Sequence, residues 1–293
     1  MQRLAGQRNR YTGTNYLYNR NRHRSAAEYR STEKYSVIPM KNRLKILDIW
    51  VDPVTMNETL TRIIDFIETG NRVHTIFAAN PEKNFSVPRD PLLYEAFKNA
   101  DILIPDGIGM VLAARFLHGI TLSRVPGVEL MHAISRLSAQ KGYRIFIYGA
   151  REDVSRIACE RLQVLYPGIH IVGRENGYLP QEKMPGLIDQ INESGAEILF
   201  LALGSPKQER WLSEYRGHLK TVRVCQGIGG TLDTIAGTVK RAPDIWCRFN
   251  AEWLYRLISE PKRLRRQRVL PIFALKVLGA RIFKCDSCSK DGE

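Results

Sequence analysis

The stretch ILIPDGIGM, residues 102–110, runs from apolar residues straight into Asp106, followed by two glycines, Gly107 and Gly109, around Ile108. A short apolar run bounded by turn residues reads as a buried strand, and glycine lets the chain turn tightly beyond it. A carboxylate at the end of such a strand stands where open α/β sheets gather their ligands. The same pattern repeats along the chain. Strands are expected at 43–51, 73–80, 101–106, 143–150, 169–177, 197–204 and 222–230. Helices are expected at 55–70, 90–100, 127–142, 151–168, 185–195 and 206–216. Strands alternating with helices of this length predict an α/β fold: a mostly parallel sheet with helices on both faces. Past Ala242 the rhythm stops, and the remainder reads as two or three basic helices with no strand between them.

The 293 residues carry a net charge of +14, unevenly spread. Residues 1–42 hold 9 Lys/Arg against 2 Asp/Glu, and residues 240–293 hold 13 against 6, so the centre is neutral. This divides the chain into a basic N-terminal arm (1–42), a core (43–240) and a basic helical appendage and tail (241–293). The arm, rich in Arg, Asn, Tyr and Ser, reads as disordered. Its interleaved Arg and Tyr suit RNA or a membrane surface, and a solvated tail is the plainer alternative. A neutral core with basic ends argues against a uniformly nucleic-acid-coating protein. Five scattered cysteines do not form a disulfide framework, which fits a reducing compartment. No apolar stretch reaches the roughly 18 residues of a membrane span, and the N-terminus lacks the apolar centre of a signal peptide.

Chemistry is expected at the strand ends. Asn80-Pro81-Glu82, Asp106-Gly107, Gly149-Ala150 and Gly227-Ile228-Gly229-Gly230 stand there, and Gly204 to Glu209 opens a helix. Glycine turns let backbone N–H groups approach phosphate, so the turns at 149 and at 227–230 suggest a ligand carrying a diphosphate. Taken alone, each of these glycines is more often an ordinary turn residue than a ligand contact. Neither turn is the dinucleotide fingerprint, because Leu232 occupies the place of the third glycine. Asp233, on the first turn of the next helix, either complements the helix dipole or accepts from ribose hydroxyls. There is no Asp-x-Asp clamp, and Cys285-x-x-Cys288 has no second ligand pair, so no metal site and no cofactor are expected. In the appendage Arg256, Arg263 and Arg266 fall within about 80° on one continuous helix, interrupted by Pro261. Arginine forks suit phosphate oxygens, and a solvated basic face is the alternative. The bulky apolar residues around them suit an anionic bilayer surface.

Taken in order, ANPE (79–82), DGIG (106–109), RVPGVELM (124–131), YGA (148–150), LGSPKQE (203–209), GIGGTLDTIAGTVKRAP (227–243) and EWLYRLISEPKRLRR (252–266) resemble the bacterial WecG/TagA/CpsF glycosyltransferases. The resemblance spans about residues 44 to 270. It implies a Rossmann-like core and an inverting, metal-independent transfer from a UDP-sugar to an undecaprenyl-diphosphate-linked sugar. The pathways implied are common antigen, teichoic acid, capsule or exopolysaccharide synthesis, at the cytoplasmic face of the membrane. It makes Asp106 the general base, since an aspartate of ordinary pKa, about 3.9, is ionised at neutral pH. Asn80 and Arg124 match sugar- and phosphate-contacting positions, and Tyr178, Gln208 and Asp233 match the nucleotide and donor pocket. Arg256, Arg263 and Arg266 match positions assigned to the acceptor diphosphate. The family commonly has Thr-x-Asn where this chain has Ala78-Ala79-Asn80, which leaves the donor sugar open.

Two other classes compete. A nucleotide-cofactor oxidoreductase lacks its third glycine and an obvious hydride-site His or Tyr-x-x-x-Lys. A basic nucleic-acid-binding scaffold has no use for the ordered strand-end motifs, so no nucleic-acid partner is expected. A homo-oligomer is left open.

Overall fold

The computed structural model describes residues 42–239, 243, 246, 252–259 and 267–288. The N-terminal arm to residue 41, Arg263 and Arg266 lie outside the described residues. Arg43–Val51, expected as one strand, is instead a hairpin of β1 (Leu44–Ile46) and β2 (Ile49–Val51). Leu47 takes a left-handed φ of 53° at its turn. That conformation is uncommon for leucine, so the sequence carried no turn signal there.

The core then alternates as read: α1 (Met56–Glu68), β3 (His74–Ala79), the short α2 (Lys83–Ser86), α3 (Pro91–Lys98) and β4 (Ile102–Pro105). Next come α4 (Ile108–His118), α5 (Gly127–Lys141), β5 (Arg144–Gly149), α6 (Glu152–Leu165), β6 (His170–Glu175) and α7 (Met184–Glu193). β7 (Ile198–Ala202), α8 (Lys207–Tyr215), β8 (Val224–Gly227) and α9 (Thr231–Ile235) complete it. Helix α4 is an addition to the sequence reading. The described appendage contributes α10 (Glu252–Ser259) and α11 (Val269–Cys288), with no strand among its described residues.

Six strands, β3 to β8, form one parallel sheet in the order β4-β3-β8-β7-β5-β6. Alternate residues feed two cores, as the two-residue strand period requires. Phe77, Phe146, Tyr148 and Leu199 pack under the hairpin, α3, α4, α7, α8 and α11. Ile76, Ile145, Ile147 and Phe200 pack under α1, α5, α6 and α9. Asp52 ties the hairpin to the sheet: it pairs with Arg43 at 2.7 Å and accepts the Leu103 N–H at 2.6 Å. The strand it grips, β4, is the one that delivers Asp106. Helix α11 lies on α4 with Phe273 and Val277 buried in the same core.

Candidate active site

Because every strand of the sheet runs the same way, all the motif-bearing turns emerge at one rim. Three groups form there. At the ends of β3 and β4, the Asp106 N–H donates to the Ala79 carbonyl at 2.9 Å, and Val125 N–H donates to Pro105 at 2.9 Å. These bonds set Asn80, Asp106 and Arg124 side by side on adjoining segments, each half-buried. The Asn80 side chain accepts the Lys83 N–H at 3.2 Å, which fixes its turn.

At the ends of β7 and β8, Gln208 is buried and accepts the Gly229 N–H at 3.1 Å. A Cβ on Gly227 would lie 2.4 Å from the Gln208 amide nitrogen, so glycine leaves room for that side chain in the position it holds. Asp233 follows on the first turn of α9. Its carboxylate lies 3.3 Å from the Thr238 hydroxyl, and a Cβ on Gly230 would lie 3.5 Å from it.

At the ends of β5 and β6, Gly149 has φ +128° and a Cβ there would lie 2.5 Å from the Ala202 carbonyl carbon. Its glycine is therefore demanded by the close approach of β5 and β7. Chain connections leave these two strands in opposite directions, the position where open α/β sheets form a ligand crevice. Tyr178 stands beyond β6 and is 74% exposed, with its N–H given to Asn176.

The backbone of the glycine turns is less free than expected for a phosphate cradle. The Ile228 N–H goes to Leu201, Gly229 to Gln208, Thr231 to Ile228 and Ala150 to Ala202. Of the appendage arginines, Arg256 lies on α10.

One pair went unread in the sequence. Lys83 Nζ lies 2.9 Å from Glu209 Oε1, with the side chains 10% and 1% exposed. The ammonium also donates to Ser205 Oγ and lies 5.1 Å from the Phe97 ring centre. Glu209 Oε2 is buried with no partner among the described residues. The pair joins the turn after β3 to the start of α8 across 126 residues of sequence. A signal existed: Glu209 lies three residues before Leu212 on the buried face of α8, where a carboxylate needs a partner.

A carboxylate, side-chain amides and glycine turns gathered at the carboxyl rim of a parallel sheet form the arrangement with which open α/β folds bind ligands. A profile of the glycosyl transferase WecG/TagA/CpsF family matches residues 44–286. The chain belongs to this family, and it is a glycosyltransferase. A relative from Bacillus spizizenii, an N-acetylglucosaminyldiphosphoundecaprenol N-acetyl-beta-D-mannosaminyltransferase, is 35% identical over 227 residues, covering 76% of this chain and 87% of the relative. A protein of the same name from Bacillus subtilis is 34% identical, covering 76% and 88%.

Proposed function

We propose that this enzyme moves a sugar from a UDP-sugar to an undecaprenyl-diphosphate-linked sugar in bacterial cell-surface polysaccharide synthesis, with inversion and without a metal ion. The observation that carries the reading is the set of motif residues at one rim of the sheet: Asn80, Asp106 and Arg124 beside Gln208, Gly229, Gly230 and Asp233. In this reading Asp106 accepts the proton of the acceptor hydroxyl as its oxygen bonds to the anomeric carbon. The bond to UDP breaks on the opposite face, and the electron pair leaves with the diphosphate. Gln208, Asp233 and Tyr178 face the nucleotide, while Asn80 and Arg124 hold the sugar and diphosphate. The beta linkage in the relatives' names supports inversion from an alpha-linked donor.

The acceptor lipid calls for a membrane surface, and the α4–α11 pair supports one. Leu112, Phe116, Ile272, Leu275, Leu278 and Ile282 are all exposed, and the Arg281 guanidinium lies 6.0 Å from the Phe116 ring centre. Exposed apolar side chains interleaved with cations suit the interface of an anionic bilayer. No helix among the described residues is long and apolar enough to cross a membrane. The reading is therefore a peripheral enzyme at the inner face of the cell membrane, with Arg256, Arg263 and Arg266 on the acceptor diphosphate.

The test is UDP release from a panel of UDP-sugars with N-acetylglucosaminyl-diphosphoundecaprenol, run with EDTA present. Transfer from UDP-N-acetylmannosamine, giving a beta product, is the first expectation from the relatives. No release with any donor defeats the reading. A strict need for Mn²⁺ or Mg²⁺ defeats its metal-free leaving-group chemistry.

A further inference from the structure

We propose that the buried Lys83–Glu209 ion pair is a positioning device: it locks the turn after β3 to the turns after β7 and β8 and fixes how Gln208 presents the donor pocket. The inference rests on reading those turns as the donor site.

Lys83 and Ser205 come from different turns, and Glu209 lies one residue beyond Gln208 at the start of α8. Glu209 Oε1 accepts from Lys83 at 2.9 Å and faces the Gln208 amide nitrogen at 3.4 Å. The Gln208 oxygen accepts from Gly229 at 3.1 Å. A carboxylate only accepts and a backbone N–H only donates, so these two neighbours dictate which way the amide points. Replacing Glu209 with an amide, which offers a donor as readily as an acceptor, loosens that instruction. Lys83 N–H in turn donates to the Asn80 side chain at 3.2 Å, so the network runs unbroken from Asn80 to Gly229.

Fold stability alone does not require such a pair. Well-packed neutral side chains of similar volume hold a buried site about as well as two desolvated charges do. What they do not reproduce is the fixed orientation of Gln208.

The experiment uses the double variant Lys83→Met, Glu209→Gln, which removes both charges at near-constant volume and leaves no unpaired buried ion. UDP affinity, donor and acceptor KM, melting temperature and hydrogen exchange of the Gly229 amide are compared with wild type. A melting temperature within about 5 °C of wild type is expected. UDP affinity should fall about tenfold with a matching rise in donor KM, acceptor KM should hold, and the Gly229 amide should exchange about tenfold faster. A folded double variant with wild-type UDP affinity and Gly229 exchange overturns the inference and leaves the donor site standing. A double variant that does not fold makes the pair a structural element and also overturns it. Wild-type protein that binds no UDP overturns the donor site and the inference together.

Discussion

Two carboxylates, the half-buried Asp101 and the buried Glu209, sit at opposite ends of the same sheet, and their surroundings differ in kind. Asp101 precedes β4 at the amino rim. It accepts from both Arg72 guanidinium nitrogens, from His74 Nδ1 at 3.1 Å and from the Thr75 N–H at 2.8 Å. Burial pushes its pKa up, but the His74 and Arg72 hydrogen bonds outweigh burial and hold it at about 2. Glu209, at the carboxyl rim, bonds through one oxygen, and the other has no partner among the described residues. The saturated carboxylate is a clamp between β3 and β4. The half-satisfied one stands among the turns proposed as the donor site.

That contrast breaks most readily at Asp106, the carboxylate at the same rim that is proposed as the general base. Asp106→Asn should keep the fold and UDP affinity while lowering turnover by roughly 10²–10⁴-fold, the usual worth of a general base. Steady-state kinetics beside UDP titration will check it, and near wild-type turnover removes Asp106 from the mechanism. A smaller loss is expected in the appendage. Alanine at Arg256, Arg263 or Arg266 should lower kcat/KM for the lipid acceptor roughly ten- to a hundred-fold each, with UDP binding unchanged. Equal losses of UDP affinity and transfer would make the appendage a support for the core instead.

The smallest functional effect belongs to the amino rim. Asp101→Asn should leave UDP binding intact and cost about 2 kcal/mol of stability at neutral pH. The sign follows from a folded pKa held below the ordinary 3.8. The stabilisation is fully present above that ordinary value and is lost as the pH falls toward 2. The gap between variant and wild type in denaturant unfolding should therefore narrow as the pH is lowered from 5 to 3. A gap independent of pH would remove Asp101 as its source.

Much of the architecture was legible because buried parallel strands are continuous apolar runs, and here they end in Asn80, Asp106 or glycine. The order β4-β3-β8-β7-β5-β6 was not, since it rests on pairings between distant segments. Helix α4 escaped notice for a physical reason. Met110, Ala113 and Leu117 face the core while Leu112 and Phe116 are exposed, so the helix is apolar on several sides and shows no clear period. The strand-end motifs named residues that the sheet gathers at one rim. Lys83–Glu209 stayed hidden because neither residue announces its partner 126 positions away.

The place of β8 has a consequence for how the molecule comes into being. It is the last strand of the sheet along the chain, yet it lies in the interior between β3 and β7. In the sheet, β3–β4 and β7–β5–β6 are joined only through β8. Neither can close on the other until Val224–Gly227 slots between them, joining partners about 150 residues apart in sequence. Distant pairings of this kind make folding slow and expose unpaired edges while it proceeds. The strand that completes the sheet is therefore also the one that brings the turns after β3 and β4 to the turns after β7 and β5.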